Sequence, residues 1–180
     1  MVQIPNWENH IVPQKRRDSG CIPWGFELLL RIEGAPLIDF DGFQDRFDLD
    51  KREGQAPRNN FRSVADAISQ QYPHVSFAVK DFPRDKGADK VAAVEHLVAK
   101  GKPVLVSMPL KPLGYPGWHI MPVVEISEGT FLLFHSVSSI GVPQLLPISR
   151  DKLIKVHGEY EGGHDIAHVE GILNPASGSA

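Results

Sequence analysis

The stretch Cys21-Ile22-Pro23-Trp24-Gly25-Phe26-Glu27-Leu28-Leu29-Leu30-Arg31-Ile32 constrains the fold more than any other part of the chain. Proline near its start and Gly34 just past its end mark a helix. It is apolar nearly all round, so it cannot lie on a surface, and the rest of the chain must enclose it. The chain's 180 residues suit a single domain. A chain of that size buries roughly 70% of its unfolded surface, enough for one core without staples. Hydrophobic residues at 42% and charged residues at 23% argue against disorder.

Around that helix the pattern changes once. Residues Pro36 to Asn60 are rich in Asp and Gly, and read as a loop with one short helix. A second helix covers Ser63 to Gln71, a strand His74 to Phe82, and a third helix Asp89 to Lys100, stopped by Gly101. After Gly101 the signals turn to β. Strands are expected over Pro103 to Leu110, His119 to Ile126 and Thr130 to Val137, the last two joined by the tight turn Ser127-Glu128-Gly129. A short helix near Ser149 to Val156 and a strand from His164 to Ile172 follow. Helices first and antiparallel strands afterwards define an α+β order in one domain over residues 1–173, with 174–180 as a small polar tail.

Charge removes several function classes. Nineteen basic and 22 acidic side chains leave a net charge of −3, which gives no footprint for nucleic acid or an anionic membrane surface. No apolar run approaches the ~18 residues of a membrane span, so no membrane insertion is expected. Met1 to His10 lacks the basic start and apolar run of a secretory signal. A cytoplasmic protein is expected, with a non-classical exit or a longer parent chain as alternatives. The aspartates Asp39, Asp41, Asp45, Asp48 and Asp50 lack the spacing of a calcium loop. His157, His164 and His168 do not match the helical zinc pattern, so neither metal nor other cofactor is expected.

Cys21 is the only cysteine. An intramolecular disulfide is impossible, and the thiol is either a small buried hydrophobe or a nucleophile. Its place at a helix amino terminus, downstream of Lys15-Arg16-Arg17, favours a thiolate. That basic run reads most simply as a solvated loop, with a substrate contact as the alternative. A base must come from elsewhere, and His119 follows an irregular Pro/Gly loop and opens a strand. His135, at the far end of Phe131-Leu132-Leu133-Phe134-His135, is the candidate to orient that imidazole, or else a core residue. Gln14, seven positions before Cys21, is the candidate oxyanion donor, or an ordinary loop glutamine.

The order Gln14…Cys21-Ile22-Pro23-Trp24, Gly101-Lys102-Pro103-Val104-Leu105-Val106, Trp118-His119-Ile120-Met121-Pro122-Val123-Val124 and Phe131-Leu132-Leu133-Phe134 resembles the papain-like cysteine peptidase superfamily. Within it, the chain is similar to the bacterial branch of double-glycine (bacteriocin) leader peptidases. The resemblance covers Gln14 to Val137. It implies a papain-like fold, a central helix packed on an antiparallel sheet. It also implies Cys21 as nucleophile, His119 as general base and acid, and Gln14 with the Cys21 backbone amide as oxyanion hole. Two departures stand out: the Gln-to-Cys gap is one residue longer than usual, and His135 occupies the place of Asp or Asn. A neutral imidazole supplies no fixed negative charge for an imidazolium.

These residues imply a cysteine hydrolase, foremost a peptidase with a thioester intermediate, acting on a peptide or protein. The alternatives are a catalytically silent domain binding peptide in the same cleft, and a toxin or effector using the residues for acyl transfer or deamidation. Specificity is expected from Lys111 to Trp118 and from Pro36 to Asn60. The sequence fixes neither oligomeric state nor an inhibitory partner.

Overall fold

The computed structural model describes residues 1–16, 20–51, 59–114, 117–135, 144–159 and 162–173. In chain order the strands are β1 (Val2–Gln3), β2 (Val75–Asp81), β3 (Val104–Pro109), β4 (Trp118–Ser127), β5 (Thr130–Phe134), β6 (Leu145–Ser149) and β7 (Asp165–Ile172). The helices are α1 (Cys21–Ile32), α2 (Phe43–Phe47), α3 (Phe61–Gln71), α4 (Gly87–Ala99) and α5 (Arg150–Glu159). Three short 3-10 turns complete the described elements, at Trp7–His10, Leu49–Lys51 and Lys111–Leu113.

The strands form one antiparallel sheet in the order β2-β7-β3-β4-β5-β6. β4 is its longest strand. It pairs with β3 through Val123, and β1 continues the same side beyond it, Val2 opposite Ile126. The β4–β5 turn is the two-residue loop Glu128-Gly129, with φ of 49° and 74°. Positive φ at both turn positions matches the right-handed twist of the flanking strands.

α1 joins two hydrophobic cores, which is why it has no polar face. Trp24 and Leu28 enter a core with Val91, Val94 and Val98 of α4 and Val104, Val106 and Met121 of the sheet. Phe26, Leu29 and Leu30 enter the other, with Phe43, Phe47, Phe61, Val64, Ile68, Leu105 and Ile120. The buried carboxylate on α1, Glu27, pairs with Arg31 at 2.7 Å and accepts a hydrogen bond from the Gln44 amide at 2.8 Å.

The expected α+β architecture is the observed one, and α1 spans the residues the sequence indicated. Of the short elements that were not expected, three bear on how the sheet is built. β1 and the Trp7 turn dock the amino terminus on the sheet: Ile4 and Trp7 are buried, and Trp7 lies 5.1 Å from the Phe134 ring. β6 carries Pro147 at its centre, a residue that reads as a strand breaker. It is tolerated because β6 is an edge strand, where one side of the backbone needs no partner. The expected continuation of β5 to Val137 and the tail 174–180 fall outside the described residues. Among the described residues no helix is long and apolar enough to cross a membrane.

Candidate active site

A cleft of about 310 Å³ opens where the start of α1 meets the start of β4. Cys21 and Ile22 line one side, His119 and Ile120 the other. Asn59, Asn60 and Phe61, from the entry to α3, add a wall, and Ser107, Trp118, Gly163 and Asp165 close the far end. The fold thus brings together the two residues that sequence spacing leaves 98 positions apart.

The turn before Cys21 is tied down from several directions. The Gly20 amide donates to the Arg16 carbonyl at 3.1 Å, and Trp24 Nε1 donates to the Val12 carbonyl at 2.8 Å. Gln44 accepts from the Lys15 amide and donates to the Pro13 carbonyl, each at 2.9 Å. Arg16 pairs with the buried Asp48 at 2.6 Å, and the same carboxylate accepts from Asn59 Nδ2 at 2.8 Å. Asp48 therefore links the approach to Cys21 with the opposite cleft wall. Lys15 pairs with Asp45 and Arg46 with Asp39, so four of the five aspartates weighed for calcium, Asp50 included through the Asn59 amide, serve loop structure. The two described members of the basic run are likewise held in ion pairs.

Electrostatics run against the expectation of a thiolate. Burial pushes the Cys21 thiol above its ordinary range, and the backbone amides of Ile120, Cys21 and Ile22 only partly oppose it. Desolvation of a charged sulfur outweighs the helix terminus here. Burial also pushes His119 down to about 3, with His135 adding to the effect. The resting pair is a neutral thiol and a neutral imidazole. Among the described residues no hydrogen bond joins them, and His119 Nε2 is buried without a partner.

His135 is fully buried and packs against His119, ring centroids 4.1 Å apart and planes at 40°. An in-line bond between two imidazoles would separate the centroids by about 5 Å. The two rings instead lie partly over one another, so His135 confines His119 by packing. Gln14 does not line the cleft. Its amide donates to the Arg16 carbonyl at 2.6 Å, the acceptor that also receives Gly20, so it shapes the turn that presents Cys21.

Sequence reading did not single out Asn59, Asn60, Ser107 or Asp165. Asp165 left one trace, a carboxylate opening a strand just after Gly162-Gly163. Lys90, beneath the cleft and 2% exposed, was hidden among the apolar positions of its helix. Its Nζ donates to the carbonyls of Ser107 at 2.8 Å and Gly163 at 2.9 Å, and burial lowers its pKa to about 8. His157 and His164 pack with ring centroids 4.3 Å apart, and neither lines the cleft.

A central helix with a thiol at its amino end, packed on an antiparallel sheet bearing a histidine, matches a C39-like peptidase fold. The crystal structure of a candidate C39-like peptidase from Bacillus anthracis superposes with a TM-score of 0.60, covering 95% of this chain and 98% of that one at 11% identity. At that identity the likeness establishes the fold alone. No family model matches the sequence. No curated protein matches it either.

Proposed function

We propose that the protein is a papain-like cysteine hydrolase acting on peptide bonds, with Cys21 as nucleophile and His119 as proton acceptor and donor. One observation carries the reading: the chain's only thiol, at the amino end of α1, and His119 of β4 line the same cleft. Because the resting pair is neutral, the reaction begins as general-base attack. The thiol proton passes to His119 as the sulfur adds to the substrate carbonyl. The Cys21 backbone amide, at the helix terminus, faces the developing oxyanion. His119 then protonates the departing amine, leaving a thioester. Water attacks that thioester with His119 again as base, the C–S bond breaks to release the carboxylic acid, and His119 returns the proton to the Cys21 sulfur. Gln14 acts in this scheme by holding the Arg16 turn, and reaches the oxyanion only if its amide leaves the Arg16 carbonyl.

The test is turnover of a fluorogenic peptide library by wild type and by Cys21→Ala, both confirmed folded. The expected result is turnover that vanishes in the variant. Turnover that survives in Cys21→Ala would sink the proposal. A second reading, a cleft that binds peptide without cleaving it, is favoured by the charge states: the thiol is pushed up, His119 is pushed down, and an imidazole stands behind it in place of a carboxylate. Saturable peptide binding with no Cys21-dependent turnover across the library would establish that reading instead.

A further inference from the structure

The far end of the cleft carries a group that the hydrolytic scheme does not use. Asp165 is the one carboxylate among the described lining residues, and it sits at the first position of β7. Its neighbours along the cleft are largely apolar: Ile22, Phe61, Ile120 and the indole of Trp118. Trp118 is 50% exposed at the rim, and its ring lies over the backbone of Gly162 and Gly163, where an added Cβ at Gly163 would come within 2.8 Å of it. Both glycines have positive φ, which gives a flat bed for the indole that a side chain would destroy.

Among the described residues, Asp165 has no ion-pair partner within 4.0 Å. Lys90 is close enough to favour the ionised carboxylate, yet its ammonium bonds two carbonyl oxygens. The Ser107 hydroxyl also favours the carboxylate, while burial opposes it. A partly buried carboxylate without a direct counter-ion is expensive, and a cation arriving beside it is bound strongly.

We propose that Asp165 is the floor of a subsite for a cationic substrate side chain, its ammonium or guanidinium group on the carboxylate and its aliphatic stem along Trp118 and Ile120. Lysine and arginine have that build, an apolar stem ending in a charge. An acidic side chain in the same place would face Asp165 and is excluded. The inference rests on reading the cleft as a peptide site and adds the class of residue it selects.

The test uses Cys21 as its own reporter. Iodoacetamide alkylation of wild type is timed with N-acetyl-arginine methylamide, with its neutral isostere N-acetyl-citrulline methylamide, and with leucine methylamide, whose only cation is an α-amine. The arginine compound is expected to protect at a concentration about tenfold or more below the citrulline compound. Asp165→Asn, nearly isosteric, is expected to erase that gap. Equal protection by arginine and citrulline in the wild type overturns the subsite and needs no variant. Protection by leucine methylamide as good as by the arginine compound overturns the side-chain assignment in favour of an amino terminus. Peptide turnover separates this inference from the hydrolase: an arginine gap without turnover leaves the subsite standing alone, and Cys21-dependent turnover without a gap leaves only the hydrolase.

Discussion

Three buried imidazoles dominate the behaviour of single residues in this protein. His119, His135 and His157 are each held below the ordinary histidine range, in every case chiefly by burial. In the unfolded chain they titrate near ~6.5, so between that pH and their folded values the unfolded state binds more protons. Their contribution is therefore present above about pH 6.5 and is lost as pH falls toward the folded values, His119 at about 3. Each proton taken up on unfolding costs about 1.4 kcal/mol of stability per pH unit. Urea unfolding at pH 7, 6 and 5, above the carboxylate range, should show stability falling toward pH 5. A flat profile over that window would contradict neutral burial. His119→Gln should make the slope shallower.

At the scale of elements, the start of α1 is where small changes should reach the site. A Cβ on Gly20 would stand 2.7 Å from the Arg16 carbonyl oxygen, a backbone atom that cannot turn aside. Gly20→Ala should cost about 1–3 kcal/mol and should change Cys21 alkylation as well, because the turn before the thiol has to move. An unchanged alkylation rate would show that the turn does not position Cys21. Asp48→Ala removes the carboxylate shared by Arg16 and Asn59 and should destabilise by about 1–3 kcal/mol, measured by urea unfolding. A loss under half of that range would make the link decorative.

Elements were legible where one physical signal governs. α1 could be read directly because burial on all sides leaves an unbroken apolar run bounded by Pro23 and Gly34. The Glu128-Gly129 turn could be read because its length and glycine fit a tight hairpin. β6 could not, since Pro147 is harmless only once its edge position is known. β1 is two residues long and exists through its pairing with β4, a contact more than 120 positions distant.

The whole molecule is organised around α1, which serves both cores, so neither core can open without exposing it. We expect residues 1–173 to unfold in one cooperative transition, with fluorescence of Trp7, Trp24 and Trp118 tracking far-ultraviolet circular dichroism. Two separated transitions would mean that the cores are independent. The meeting of Cys21 and His119 was legible because each sits at an element terminus with a recognisable neighbourhood. The places of Asp165, Asn59 and Lys90 were not, because they depend on which elements lie beside one another. Nor were the charge states: a helix terminus suggests a thiolate, and only the packing reveals that desolvation prevails.

The measurement that bears most directly on the account is the rate of Cys21 alkylation by iodoacetamide against pH, for wild type and His119→Ala. A functional pair of neutral thiol and imidazole predicts a plateau through neutral pH, bounded by an acid limb well below ~6.5 and an alkaline rise above ~8.5. In His119→Ala the plateau should disappear and the alkaline limb remain. A single alkaline inflection, the same in both proteins, would contradict the account and leave Cys21 a structural thiol.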